Sequence, residues 1–154
     1  MTSEKAADYP YKKSRNGITA VIIHRKKVLL LKRSPLLFFA AYPGIWTVVG
    51  GGIKSENPLD AAYREIEEET RIAKRDLRLL SACMNFKIYD PIRRNAQWRN
   101  TLFFFKSRTA RVKLNFENSR CRWASFDDIK KERDYTSIFM ENARFLDILK
   151  RHLV

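Results

Sequence analysis

The sequence contains few of the residues that build disulfide scaffolds or thiolate metal sites. Its 154 residues include only two cysteines and two histidines. Cys83 and Cys121 make neither a disulfide framework nor a metal-ligand cluster, so we expect two free, core-like thiols in a reducing cytoplasm. His24 ends an apolar run, and we expect a turn residue there rather than a metal ligand.

Long hydrophobic runs are also missing. The first residues, MTSEKAADYPYKKSRN, lack the apolar core of a signal peptide, and no segment approaches the length needed to cross a membrane. We therefore expect a soluble, cytoplasmic protein without a membrane partner. With 45% apolar residues and no internal repeat, the chain predicts one domain over residues 1–154, with residues 1–15 as a flexible arm.

Acidic residues are scarce and unevenly placed. The chain has 17 of them against 31 lysines and arginines, which gives a formal net charge of +14. Six of the 17 fall between Glu56 and Glu69, inside a protein that is otherwise basic. Most of the basic residues are expected to be solvated surface. An acidic centre between basic flanks can nevertheless hold a phosphorylated substrate through a bridging metal ion.

The acidic stretch divides into a predicted loop and a predicted helix. Gly50–Gly52 and the pair Asn57–Pro58 are loop signals, whereas Leu59–Thr70 contains only helix-tolerant residues. Asn57 can cap the helix, and proline fits its first turn. The sequence therefore predicts a helix that begins directly after a glycine loop.

Three glutamates share one face of that helix. Glu65, Glu68 and Glu69 stand at positions i, i+3 and i+4. Two carboxylates about 5 Å apart repel by roughly 3 kcal/mol at an effective dielectric near 20. On a wet surface such a face is tolerable as a solvated acidic helix, but in a closed cleft it requires a cation. Oxygen ligands alone favour Mg²⁺ or Mn²⁺.

The spacing around the helix resembles the Nudix box, the signature of the Nudix hydrolase family. Gly50 is followed after five residues by Glu56 and, after seven more, by REIEEETRI from Arg64 to Ile72. Every box position agrees except the late glycine, which is Arg71 here. That glycine closes the helix, so we expect its loss to affect the helix exit more than the metal site.

The resemblance extends on both sides of the box. Nudix proteins often carry a glycine and a tryptophan just before it, as Gly44 and Trp46 do here. Many also have a glutamate six residues before a tryptophan, which Glu117 and Trp123 match. In those relatives this glutamate approaches the metal site from a neighbouring loop.

The family resemblance implies a fold, a cofactor and a set of roles. The implied fold is the α/β Nudix fold, a mixed β-sheet sandwiched between α-helices, and the implied cofactor is Mg²⁺ or Mn²⁺. The Gly50 carbonyl would join the three glutamates as a metal ligand, and one of those glutamates or Glu117 would act as the base. Glu56 would support the loop or the outer metal shell, and Arg64 would orient its neighbouring carboxylates. The catalytic candidates are thus Glu65, Glu68, Glu69 and Glu117.

The implied reaction is cleavage of a diphosphate linkage in a nucleoside diphosphate derivative. The general type that the chain is most similar to is the MutT-like nucleoside triphosphate pyrophosphatase. Tyr89, seventeen residues past the box, is reminiscent of dinucleoside polyphosphate hydrolases. Pro91 lies nineteen residues past it, whereas nucleotide-sugar hydrolases have a proline about fifteen past.

An RNA partner is the remaining alternative. The chain is then either an RNA 5′-end pyrophosphohydrolase or a Nudix-fold RNA-binding protein. Arg93, Arg94 and Trp98 form a basic and aromatic cluster suited to base stacking and phosphate neutralisation, and equally to an ordinary surface. A homodimer through the apolar segment Leu36–Tyr42 is a further option.

The remaining elements are indicated by apolar runs and turn signals. We predict a hairpin with a charged turn, a strand that leads into the glycine loop, two later strands, a short helix that begins at Phe126 and a closing amphipathic helix. In the same order, the strands and the closing helix are Ile18–His24, Val28–Arg33, Gly44–Val49, Leu77–Tyr89, Thr101–Lys106 and Thr136–Leu153.

Overall fold

The structure is a computed structural model that describes residues 15–35, 44–89, 97–131 and 143–153. The expected flexible arm, apart from Arg15, and the apolar segment Leu36–Tyr42 lie outside these ranges. So do the first residues of the predicted closing helix.

The first two strands form the predicted hairpin. β1 (Arg15–His24) pairs antiparallel with β2 (Lys27–Arg33), so that Arg25 and Lys26 are left as a two-residue turn. Both turn residues have positive φ, 48° and 61°, as a type I′ turn requires. The turn is charged, as predicted, although asparagine and glycine fit this backbone more easily.

The described strands form one mixed sheet. Its order is β3-β2-β1-β6-β5, with β4 also paired to β1 and β7 also paired to β2. β1 and β6 run parallel, and the other described pairs are antiparallel. The remaining strands are β3 (Trp46–Thr47), β4 (Val49–Gly52), β5 (Leu77–Tyr89), β6 (Gln97–Ser107) and β7 (Asn118–Ala124).

Helices cover both faces of this sheet. α1 (Pro58–Thr70) packs Ala62 and Ile66 against one face, where α1, β1 and β6 share a buried apolar cluster. α2 (Phe126–Lys131) and α3 (Ala143–Leu153) contribute to a second cluster. Neighbouring residues of β1 alternate between the two clusters, so the clusters lie on opposite faces. The predicted sandwich is thereby confirmed.

The prediction of a loop at Gly50–Gly52 was wrong. These residues belong to β4, and they pair with Thr19, Ile18 and Gly17 of β1. The predicted strand Gly44–Val49 is instead split between β3 and β4. Glycine weakens a strand through its backbone entropy, but a long buried partner strand supplies backbone hydrogen bonds that local propensity does not reveal.

The helix exit explains how the chain accommodates Arg71. α1 ends there with φ 60° and ψ 14°, and the Arg71 N–H donates to the Glu67 carbonyl at 3.0 Å. This is the left-handed C-cap conformation that glycine adopts most easily. The helix therefore ends at the position where the box glycine would end it, with a residue for which that conformation costs about 1–2 kcal/mol.

Replacing Arg71 with glycine should stabilise the fold. We expect a gain of about 0.5–1 kcal/mol in the free energy of unfolding, because the relieved strain exceeds the extra entropy of an unfolded glycine. Urea unfolding of R71G against the parent protein measures the change. The matched control is R75G in the 3₁₀ helix Lys74–Asp76, where φ is not positive and glycine should destabilise. Equal losses in both variants would contradict the strain argument.

Candidate active site

α1 is positioned by its N-terminus as well as by its buried face. The Asp60 N–H donates to Asn57 Oδ1 at 2.9 Å, and Pro58 occupies the first helical position. Both features match the predicted cap and first turn. The cap fixes where the helix begins, and the apolar residues fix its rotation on the sheet. The two together determine which way the glutamates point.

The three predicted glutamates share a helix face but not an environment. Glu69 is 1% exposed and Glu65 is 9% exposed, whereas the Glu68 side chain is 48% exposed. Burial raises the pKa of the Glu69 carboxyl to about 8, and it also raises the pKa of the Glu65 carboxyl. Two of the three carboxylates thus lie in a closed setting, which a solvated acidic helix face does not explain.

Glu69 is held between β4 and β7. Its Oε2 accepts a hydrogen bond from the Gly50 N–H at 3.3 Å, and its Oε1 accepts one from Asn118 Nδ2 at 3.1 Å. Glu117, immediately before β7, is close enough for its charge to act unfavourably on both Glu65 and Glu69. The charge of Glu117 therefore acts on the box carboxylates, and its role at a metal ion stays a prediction.

Arg64 links the box carboxylates to the strand. Its Nε donates to Glu56 Oε1 at 2.6 Å, and its Nη1 donates to Glu65 Oε1 at 2.7 Å. Nη1 also lies 3.4 Å from Glu68 Oε2, and Nη2 donates to the Gly52 carbonyl at 2.9 Å. These contacts are the geometry that the predicted orienting role requires. Glu56 also accepts the Lys54 N–H at 3.0 Å, as a loop-supporting residue would.

Gly51 of β4 leaves room for the Glu65 carboxylate. A Cβ added at Gly51 would overlap the Glu65 carboxyl group, whereas one added at Gly52 would meet no atom within 4 Å. Gly51 has no positive φ, so what matters there is the absence of a side chain rather than backbone freedom. The bare strand therefore lets α1 bring Glu65 directly against the β4 backbone.

The donor atoms suit a hard divalent cation by chemistry and charge. They are carboxylate oxygens. Burial disfavours the negative charge of two of the carboxyl groups, Glu65 and Glu69, and a cation placed against these groups would offset that cost. Within the described ranges, no three carboxylate, thiol or imidazole groups stand together at metal-binding spacing. Arg64 holds Glu65, and the Gly50 N–H and Asn118 hold Glu69.

Part of the predicted site lies beyond the described structure. Arg93 and Arg94 fall outside the described ranges, and only the backbone of Trp98 is described, in β6 opposite Arg15. The substrate-binding cluster therefore stays a prediction. The same holds for the Tyr89 side chain.

Two residues at the site were not predicted from the sequence. Asn118 begins β7 and Arg33 ends β2, and the two are cross-strand partners. The guanidinium charge of Arg33 acts favourably on ionised Glu69, and the Arg33 Nε is buried without a hydrogen-bond partner in the described structure. The only signal in the sequence was that Asn118 follows Glu117, since strand pairing across 85 residues leaves no local pattern.

Comparison with known proteins supports the architecture. The family model described as the NUDIX domain matches residues 13–142. A MutT protein from Methanosarcina mazei Go1 has a similar solved structure, with TM-score 0.74 and 22% identity, covering 90% of this chain and 94% of that one. No curated protein sequence matches the chain.

Two further solved structures are similar. A C. elegans Ap4A hydrolase in a binary complex gives TM-score 0.66 at 19% identity, over 90% of this chain and 94% of that one. The NUDIX domain of Shewanella oneidensis NrtR, complexed with ADP ribose, gives 0.69 at 17% identity, over 100% of both chains. At such identities the likeness is one of fold. No helix in the described ranges is long and apolar enough to cross a membrane.

Proposed function

Because this chain belongs to the Nudix hydrolase family and its fold is similar to that of MutT proteins, we propose that it cleaves nucleoside triphosphates to a monophosphate and pyrophosphate. The observation that carries the proposal is the pair of buried carboxylates, Glu65 and Glu69, held against the bare β4 strand. Arg64 pairs with Glu65, whereas Glu69 accepts its hydrogen bonds from neutral donors, the Gly50 N–H and Asn118 Nδ2. Burying an ionised carboxylate such as Glu69 is costly unless a cation lies against it. A cation at this position is what hydrolysis of a diphosphate needs.

The proposed cofactor is Mg²⁺, or Mn²⁺ in its place. Its ligands would be Glu65, Glu68, Glu69 and the Gly50 carbonyl, all hard oxygen donors. When bound, the ion supplies charge neutralisation for the phosphoryl oxygens and lowers the pKa of the attacking water. The exposed Glu68 would face the solvent side of the site, where substrate enters.

The protein's own groups divide the remaining tasks. Glu117 or one of the box glutamates accepts the proton of the attacking water, because each stands at the carboxylate cluster. Arg64 keeps Glu65 and Glu56 in place through its two shortest hydrogen bonds, at 2.7 and 2.6 Å. Arg33 adds positive charge at the same site, which favours the ionised form of Glu69.

A dinucleoside polyphosphate is the second candidate substrate. It rests on the position of Tyr89 at the end of β5, seventeen residues past the box. Both candidate substrates present a phosphate chain to the same carboxylates, so the chemistry at the metal is common to them. They differ in whether a second nucleoside is attached to the far end of the phosphate chain.

A product screen tests the proposal. Nucleoside triphosphates, dinucleoside polyphosphates, ADP ribose, nucleotide sugars and triphosphorylated or capped RNA are incubated with the protein, with and without Mg²⁺. We expect Mg²⁺-dependent release of nucleoside monophosphate and pyrophosphate in equal amounts from a triphosphate. Chromatography of the nucleotides and phosphate assay after added pyrophosphatase measure both products.

Three results of the same screen would contradict the proposal. Release of single phosphates from triphosphates would refute the MutT-like reaction, because a different bond would then be cleaved. Turnover of dinucleoside polyphosphates alone would favour the second candidate. RNA binding with steep salt dependence and no turnover of any substrate would indicate an RNA-binding protein instead.

A further inference from the structure

Asn118 makes a side-chain hydrogen bond between β7 and α1. It is 4% exposed, and its Nδ2 donates to Glu69 Oε1 at 3.1 Å across a sequence separation of 49 residues. A carboxylate that binds a metal ion commonly has such a partner, which fixes the direction of its oxygens. The contact leaves Glu69 little freedom, because the Gly50 N–H holds its other oxygen.

The second amide atom of Asn118 has no partner among the described residues. Its Oδ1 is buried and accepts no hydrogen bond within that part of the chain. An unsatisfied buried carbonyl costs about 1–3 kcal/mol, so native proteins usually satisfy such an atom with a protein group or an ordered water. Since Oδ1 can only accept, its partner must carry a hydrogen. An ionised phosphate oxygen carries none, but a water molecule does.

We propose that Asn118 is a positioning residue for hydrolysis, whose amide nitrogen orients Glu69 and whose amide oxygen accepts a hydrogen bond from a water molecule at that carboxylate. This inference rests on the proposed function and adds to it a residue from outside the box. It also gives the attacking water two acceptors, Glu69 and Asn118, from different elements. Water held by two acceptors has its lone pairs directed away from them, toward a substrate.

Asn100 provides a matched control within the same sheet. It is 9% exposed, its Nδ2 donates to Thr19 Oγ1 at 2.7 Å, and its Oδ1 is also buried without a partner in the described structure. Strand alternation places it beside Leu102 and Phe104, on the face that α3 covers. It therefore has the burial and the hydrogen bonding of Asn118 but lies on the face of the sheet away from Glu69.

The experiment compares N118A, N118S and N100A in the full chain. Mn²⁺ affinity of the protein alone is measured by titration calorimetry or by electron paramagnetic resonance, and kcat and KM are measured with Mg²⁺ and the preferred nucleotide. We expect both Asn118 variants to bind Mn²⁺ about 10–100-fold more weakly and to lose kcat to a similar extent. KM at saturating Mg²⁺ should stay within about twofold. Serine keeps a polar group for folding but is too short to reach Glu69.

The control and a coupled variant separate positioning from a structural role. N100A should lower the thermal midpoint about as much as N118A while leaving Mn²⁺ affinity and kcat unchanged. In an E69Q background, N118A should weaken Mn²⁺ binding no further, because the carboxylate it orients is gone. Unchanged Mn²⁺ affinity and kcat in N118A and N118S would overturn the proposal, as would equal losses in N100A.

Failure of the proposed function would look different. If the parent protein binds Mn²⁺ but turns over no substrate, the function proposal fails, and the affinity measurements still decide whether Asn118 orients Glu69. If the parent protein binds no Mn²⁺, Glu69 is not a metal ligand. Both the proposed function and the inference about Asn118 are then refuted. If the parent protein turns over substrate, and the Asn118 variants keep its Mn²⁺ affinity and kcat, only the inference about Asn118 is refuted.

Discussion

Replacing Glu69 with glutamine should reduce kcat/KM by about 10²–10⁴-fold, as expected for loss of a metal ligand or a general base. That loss corresponds to roughly 3–5 kcal/mol of transition-state stabilisation. The fold should survive, because glutamine has the same shape and carries no charge to bury. Asn118 Nδ2 can still donate to the remaining amide oxygen. Steady-state kinetics with Mg²⁺, together with thermal unfolding, measures both effects.

The same helix offers a matched control for this substitution. Glu67 is exposed and stands between the predicted ligands, so E67Q changes the helix charge by the same amount without touching the site. We expect E67Q to keep activity within about twofold, since surface substitutions away from functional contacts have small effects. E68Q should behave like E69Q if Glu68 is a ligand. Full activity in both E68Q and E69Q would refute the assignment of the metal site.

Adding a single methyl group at Gly51 should disable the site by a different route. In G51A the new Cβ would overlap the Glu65 carboxyl group, which must then move and give up its hydrogen bond to Arg64. A displacement of about 1 Å at a reacting centre can cost on the order of 10²-fold in rate. We therefore expect a loss of about that size in kcat/KM, because the helix must hold Glu65 in one position for metal binding.

G52A tests whether the effect belongs to that position. A Cβ at Gly52 meets nothing within 4 Å, so alanine there should leave kinetics close to those of the parent protein. Both substitutions add the same methyl group to the same strand, and their effects on strand propensity should be similar. The free energy of unfolding of G51A, measured by thermal unfolding, should differ from that of the parent protein by no more than about 1 kcal/mol. The reason is that the end of a side chain moves aside more easily than backbone does. Equal activity in G51A and G52A would show that Glu65 need not stand against β4.

Features with local signals in the sequence were predicted correctly. The hairpin turn at Arg25 and Lys26 is bounded by two apolar runs, and α1 has its cap and its proline at its N-terminus. Helix caps, turns and hydrophobic periodicity depend on residues within a few positions of each other. That the three glutamates share one helix face follows from the helical repeat alone.

Features that depend on distant pairing were missed or wrongly predicted. Gly50–Gly52 has the composition of a loop, but β1 turns it into a strand by supplying backbone partners from more than 30 residues away. Arg33 and Asn118 meet at Glu69 only because β2 and β7 are neighbours in the sheet. Such pairings are stabilised by contacts within the folded sheet, so a short window of sequence does not predict them.

The sequence by itself determined the family, the box helix and which carboxylates share one of its faces, because these depend on residue type at fixed short spacings. Only the tertiary structure decided that Glu65 and Glu69 are buried while Glu68 is exposed, and that Asn118 donates a hydrogen bond to Glu69. Burial and cross-strand contact are properties of the assembled sheet and its helices. The charge of a carboxylate is encoded locally, but the environment that makes it useful is built by strands far apart in the chain.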